Sequence, residues 1–466
     1  MSEYGGTAAD MTSQGVAAVL RPRPSLGEPS PWHFPEVADA RLPNGVRILT
    51  LHRPGKQVAS VAVLLDLPVD ADPAGLEGAA SIAARSLSEG TAERDADGFA
   101  DALERQGATF HADAGYAGLT ATLDVPVSRL AAAFPLLCEA VTRRAFASSE
   151  VDRVRQQRLA EIVRERSNPP SRAGLEFSAA LHAPGTRMAV PAAGTEATVA
   201  ALTAQDVTDL YAARVSAATT TLVVAGDLRG VDVVELVLAE LGTWTGSAAP
   251  AWTPAEPEPL GGRRAVVVDR PGAVQTQLVL GHGTVDRRSP DWSAAALAAH
   301  ALGGTLTSRI DAVLREEKGY TYGMRARFAP QRRGGSFTVS GSVDTPNTEP
   351  ALDDLVGILR TAVADGLRQD ERDTASEYLV GVSPTRWETA EAVVGQIATV
   401  VGCDLPPSWI DHYLAGLRDS TLDDVNAALR SHVRPDDLLV VAVGEASAVT
   451  GPLERLGFGT PTVVPA

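Results

Sequence analysis

The first clear period along the chain begins at Leu42. There LPNGVRILTLH places an Asn44-Gly45 turn signal before a β-branched run, and QVASVAVLLDL continues with alternating apolar positions, as two paired strands would. Further on the spacing changes to 3.6 and predicts helices over 75–89, 95–106, 127–142 and 149–166, with Gly107 closing the second as a C′ residue. In the first of these, Leu76, Ala80, Ala83 and Leu87 form a stripe for core packing. Residues 1–40 carry little periodic pattern and several prolines (Pro22, Pro24, Pro29, Pro31, Pro35), which predicts a flexible or loosely docked N-terminal arm.

Comparing the chain with itself gives its organisation. Arg53-Pro54-Gly55 returns as Arg270-Pro271-Gly272. LTAQDVTDLYAARV, with Thr203 and Asp206 in an N-cap pattern, returns as STLDDVNAALRSHV with Thr421 and Asp424. The strand TLVVAGD, ending at Gly226, returns as LLVVAVGE, reaching Gly444. One offset of about 218 residues explains all three echoes, so two homologous domains are expected, at 41–245 and 263–466. The Pro- and Gly-rich stretch 246–262 between them reads as a linker. In each copy strands precede helices and a last strand follows, the order of an α+β domain: a mainly antiparallel sheet with helices packed on one face.

Composition narrows the function classes. The chain has 466 residues, 44% hydrophobic and 21% charged, enough to bury a core. No apolar run reaches the roughly 18 residues of a membrane span, and the amino end has no basic patch followed by an apolar stretch, so a cytoplasmic protein is expected. With 58 acidic against 41 basic residues the net charge is −17, which disfavours nucleic acid and anionic lipid as partners. Lys56 and Lys318 are the only lysines, and the arginines are scattered. Cys138 and Cys403 sit in apolar surroundings and read as small buried hydrophobes. The eight histidines never come closer than 18 residues, so no local metal motif exists.

Two stretches carry a family resemblance. The frame Gly78…Leu87-x-x-Gly90-Thr91, just after two strands, resembles the first-domain helix of the pitrilysin/insulinase zinc peptidases, whose motif is H-x-x-E-H. The resemblance puts the first histidine, the glutamate and the second histidine of active members at Ser81, Ala84 and Arg85, in that order. Two imidazoles one helical turn apart hold zinc and the glutamate activates water, whereas serine, alanine and arginine do neither, and a fixed positive charge at Arg85 opposes a dication. The family's third ligand falls at Glu161 within RLAEIVRERSNPP. On its residues alone Glu161 is equally a solvated glutamate or an ion-pair partner of Arg85.

The second stretch is ALGGTLTSRIDAVLREEKGYTYGM, residues 301–324, which resembles the family's second-domain signature and is the most specific match in the chain. The resemblance makes Arg315 and Tyr322 the arginine and tyrosine that face the zinc site across a cavity, where a phenol and a guanidinium donate to a tetrahedral oxyanion. Without it, Arg315 would cap a helix end and Tyr322 would begin a half-buried strand. GATFHADAGYAGLTATLDVP, residues 107–126, resembles the strand that pairs with substrate, with His111 where asparagine is usual. It reads either as an edge that accepts a peptide or as an interior strand.

A chain that keeps Arg315 and Tyr322 without zinc ligands resembles the non-catalytic companion in the two-chain members, forming one half of a clam shell. The implied complex is a heterodimer in which a homologous H-x-x-E-H subunit carries the zinc, this chain binds no cofactor, and a peptide is the substrate. A structural or peptide-binding protein of the same fold, with no proteolytic role, is the alternative.

Overall fold

The computed structural model describes residues 32–465 apart from 247, 248, 250, 251, 253 and 255, and from His33 onward the chain packs as one unit. The first half builds a sheet from β1 (Ala38–Arg41), β2 (Arg47–His52), β3 (Val58–Leu65), β4 (Thr109–Gly115), β5 (Gly118–Pro126) and β6 (Thr221–Gly226), in the order β1-β2-β6-β3-β5-β4. The second uses β7 (Arg264–Asp269), β8 (Gln275–Thr284), β9 (Arg325–Pro330), β10 (Gly335–Asp344), β11 (Leu439–Gly444) and β12 (Thr462–Pro465), in the order β12-β7-β11-β8-β10-β9. Five strands of each sheet follow one topology, 2-6-3-5-4 and 7-11-8-10-9, so the sequence echo is a structural duplication. Both sheets are mainly antiparallel; β2 with β6, β7 with β11 and β7 with β12 are the parallel pairs. The sixth strand differs: β1 is antiparallel to β2, whereas β12 enters from the other terminus.

Local chemistry sets the helix limits. Thr203 and Asp206, and Thr421 and Asp424, each close a capping box at the start of Ala204–Arg214 and Leu422–His432. The helix predicted over 75–89 is the shorter Ala79–Ser86. Gly78 stands before it at φ 104, a conformation that leaves the preceding residues as turns, and the Asp72 carboxylate accepts the backbone N–H groups of Gly78 and Ala80 at 2.8 and 3.0 Å. The other three predicted helices fall at Ala96–Glu104, Leu130–Thr142 and Ser148–Ser167.

Two expectations change. Residues 1–31 of the expected arm lie outside the described residues, but its last part is folded: Phe34 is buried edge-on against Trp387, and Ala38–Arg41 is β1, paired along β2. Its four residues, ADAR, are small or charged and largely exposed, so no apolar run reveals the strand. Helices also cover both faces of each sheet, not one. In β3, Ala59, Val61, Val63 and Leu65 join the core beneath Ala79–Ser86 and Leu130–Thr142, while the opposite face of β3 and β6 is covered by Ala390–Gly402, a helix of the second half. The exchange is reciprocal. Pro169–Leu181 of the first half lays Ala173, Phe177 and Leu181 onto Val279, Leu439, Val441 and Val443 of the second sheet.

The repeated Arg-Pro-Gly acquires a reason from this exchange. The Arg53 guanidinium donates to the carbonyls of Trp387 and Glu388, each at 3.2 Å, just before the helix that crosses to the first sheet. Arg270 donates to the Ser167 carbonyl at 2.8 Å, just before the helix that crosses to the second. Each arginine therefore anchors the other half's crossing helix.

The turn after β3 carries a buried charge beside the joint. Asp70 is 6% exposed, its Oδ1 has no hydrogen-bond partner among the described residues, and its carbonyl accepts from the Trp252 indole at 3.0 Å. Burial pushes its carboxyl up to about 7, against the pull of its own backbone N–H and the Arg187 and Arg332 charges, with Asp72 adding to the rise. An unfolded carboxyl releases its proton near pH 4, so between about pH 4 and 7 the folded chain retains a proton that the unfolded chain has lost. Stability therefore falls as pH rises through that window. Asp70→Asn is expected to be about 2–4 kcal/mol more stable than the parent at pH 8, with little difference at pH 4, as read by urea unfolding at the two pH values. Equal effects at both would show that Asp70 does not titrate in this range.

Candidate functional site

Helix Ala79–Ser86 is built almost entirely of small residues, and all but Arg85 are buried, which lets it lie close against β4 and the helices Ala204–Arg214 and Ser148–Ser167. Ser81 and Ala84 sit inside this packing. Arg85 leaves it and crosses to Ser148–Ser167, where one guanidinium nitrogen reaches both oxygens of Glu161, at 2.9 and 2.7 Å. Arg158, one turn before Glu161 and nearly fully buried, donates to it at 3.2 Å, to both oxygens of Glu165 at 2.5 and 2.8 Å, and to the Ala193 carbonyl at 3.2 Å. Burial raises the Glu161 carboxyl, but the hydrogen bonds and charges of Arg85 and Arg158 outweigh it and hold the group below the ordinary glutamate range.

Two guanidinium groups and two carboxylates thus neutralise one another where the resemblance puts a metal. The donor set does not fit zinc: no imidazole is present, and the one carboxylate in register is occupied by arginines. Among the described residues no group of three or more His, Cys, Asp or Glu side chains is placed to hold a metal ion. Arg158, Glu165 and Asp72 escaped the sequence reading. The i, i+3 spacing of Arg158 and Glu161 was a signal for the first, but nothing local marks Asp72 as the cap of a helix seven residues on.

In the second half, Arg315 lies on a π-helical turn, Ala312–Glu317, closed by the Lys318 N–H on the Val313 carbonyl at 2.9 Å. Its guanidinium is one-third exposed and pairs with the neighbouring Glu316 at 3.0 Å. Tyr322 is 91% exposed. It does not begin a half-buried strand, since β9 starts only at Arg325, and it stands on the rim of a cavity of about 420 Å³ lined also by Gln275, Thr321, Gly323, Arg325 and Ser342. Among the described residues no hydrogen bond or ion pair joins Arg315 or Tyr322 to the Arg85–Glu161 group. The structure therefore brings Arg85 and Glu161 into contact, with Ser81 and Ala84 packed on the same helix as Arg85, and leaves Arg315 and Tyr322 outside that group.

His111 lies on β4, which among the described residues pairs only with β5 and is an edge of the first sheet. The stretch 107–126 holds both kinds of strand: β4 is the edge, and β5 lies inside the sheet between β3 and β4. Cys138 and Cys403 are both buried free thiols, and burial pushes both up from the ordinary thiol range. Among the described residues no helix is long and apolar enough to cross a membrane.

Comparison with known proteins supplies the family. Residues 47–192 match the family model described as insulinase (peptidase family M16), and residues 201–379 match the peptidase M16 inactive domain. The chain belongs to the insulinase family, peptidase family M16. Its fold is that of a peptidase M16 inactive domain from Pseudomonas fluorescens, with a TM-score of 0.81, 23% identity and coverage of 88% of this chain and 98% of that one. A protease from Helicobacter pylori has the same fold at a TM-score of 0.81 and 16% identity, covering 88% of this chain and 100% of that one. Among relatives in sequence, an uncharacterized zinc protease of Mycobacterium leprae is 25% identical over 84% of this chain and 88% of its own length. The non-peptidase homolog YmxG of Helicobacter pylori is 23% identical over 78% of this chain and 84% of its own length. The match of the second half to an inactive-domain model and the similarity to a non-peptidase homolog support a non-catalytic member of the family.

Proposed function

We propose that the chain is the non-catalytic subunit of a two-chain zinc metallopeptidase, supplying Arg315 and Tyr322 to the peptide-hydrolysing site of a homologous H-x-x-E-H partner. The observation that carries this reading is a contrast within one chain. The first-domain helix is closed by an internal ion-pair network, while Tyr322 stands free in solvent with no side-chain partner among the described residues. An exposed large aromatic side chain stabilises no core, and its place within the second-domain signature gives it a use: a phenol O–H donor for the oxyanion that forms as a peptide bond is attacked. Among the described residues Arg315 is held only by a solvent-facing pair with Glu316, a contact worth little that a substrate carbonyl can displace. The free edge of β4 supplies backbone donors and acceptors for an extended peptide, independent of its sequence. The metal, borne by the partner, would polarise the scissile carbonyl and activate water.

The open β4 edge also favours a second reading, a peptide-binding protein of the same fold without proteolysis. One experiment separates the two. The purified chain is expected to hold no stoichiometric zinc by elemental analysis, and mixing it with an H-x-x-E-H homologue from its own cell should create peptidase activity that neither has alone. One tightly bound zinc per chain would reject both readings, and peptide binding without activity in the mixture would leave the second.

A further inference from the structure

Resting on the two-chain reading, we propose that Asp311 is the positioning residue of this site, fixing the short arch from which Tyr322 projects. Asp311 is completely buried, one helical turn before Arg315. Its Oδ1 accepts the Met324 backbone N–H at 2.7 Å and its Oδ2 accepts the Arg325 guanidinium at 2.5 Å. A carboxylate is retained at such depth only when charged and neutral donors satisfy it, and both donors come from the two residues that end the Tyr322 segment.

The other end of the arch is pinned as well. Thr321 pairs opposite Val343 at the margin of β10, its hydroxyl donates to the Ser342 carbonyl at 2.7 Å, and the same oxygen accepts the Gly323 N–H at 3.0 Å. Between the pins the Tyr322 side chain alone is without a hydrogen-bond partner among the described residues. Gly323 takes φ 156, a backbone conformation that favours glycine, and sits in contact with the Arg325 guanidinium and Asp311 Oδ2, which a Cβ would approach to 3.3 and 3.5 Å. Exposed side chains ordinarily wander through their rotamers, but here the backbone beneath the tyrosine is fixed to the same helical stretch that carries Arg315. One buried carboxylate thereby sets the spacing of the two donors. A donor acts on a developing oxyanion only when it is in place beforehand, and displacement by about 1 Å can cost on the order of 100-fold in rate.

The test compares Asp311→Ala, which removes both acceptors, with Asp311→Asn, which keeps an acceptor for the Met324 N–H. In the isolated full chain, hydrogen exchange over residues 320–326 should quicken by about tenfold or more in Asp311→Ala, with the rest of the second half unchanged, and should stay near the parent rate in Asp311→Asn. In the active pair, Asp311→Ala should lower kcat by about tenfold with KM within twofold, and Asp311→Asn should restore most of it. Unchanged exchange in Asp311→Ala, or altered exchange with unchanged kcat, would overturn the positioning role. If the alanine variant does not fold, the parent decides alone: a Met324 amide exchanging at the rate of an unstructured chain would overturn the pin. Absence of activity in the parent pair would instead reject the two-chain reading, while the exchange comparison still judges the arch.

Discussion

Replacing Tyr322 by Phe is expected to lower turnover of the reconstituted pair by on the order of 100-fold or more, the usual consequence of deleting one preorganised oxyanion donor. The same substitution should leave the isolated chain's stability within about 0.5 kcal/mol of the parent, because the ring is 91% exposed and its hydroxyl makes no hydrogen bond among the described residues. That combination is informative, since a residue conserving only the fold would show the opposite pattern. Steady-state kinetics of the pair and urea unfolding of the single chain supply the two readings. Turnover unaffected by loss of the hydroxyl would remove Tyr322 from the chemistry, whatever its exposure.

Truncating Phe177 to Ala should cost about 3–5 kcal/mol of folding stability, the range found when a buried aromatic side chain is removed and its cavity does not collapse. Phe177 belongs to the first half in sequence but to the core of the second in space, packed with Val279, Leu439, Val441 and Val443. The loss should therefore appear as faster hydrogen exchange in β8 and β11, about 100 residues or more along the chain from the substitution, and not first in β3 or β6. A cost below about 1 kcal/mol, or exchange that quickens only in the first sheet, would mean that the crossing helices are appendages and that each half is stable without the other.

The exchange was partly written in the strands. A sheet covered on one face alternates apolar and polar residues, but TLVVAG of β6 and LVVAVG of β11 are nearly continuous apolar runs, and almost all their residues are buried. Such runs demand cover on two faces. They do not say which helix provides it, because the amphipathic stripe of Pro169–Leu181 fits either sheet equally well and only the path of the chain decides. β1 was missed for a related reason: four largely exposed residues, ADAR, form a strand only because β2 offers a free edge beside them. The pairing of Arg85 with Glu161 was open in the sequence as one of two readings, and it is settled by the distance between two helices.

What the sequence by itself determined is whatever short-range chemistry encodes: the duplication, the capping boxes at Thr203 and Thr421, the lack of imidazoles and of a glutamate base on the first-domain helix, and the Arg315–Tyr322 signature. Each depends on residue types at fixed spacings a few positions apart, and spacing is preserved whatever the rest of the chain does. The tertiary structure alone decided that each half lends a helix to the other's sheet, that Asp70 is left with an orphaned carboxylate oxygen, that Asp311 lies under the Tyr322 arch, and that Tyr322 faces solvent. These depend on which surfaces meet after chain segments tens to hundreds of residues apart have packed. Burial and charge pairing are properties of that meeting, not of any residue taken with its neighbours in sequence.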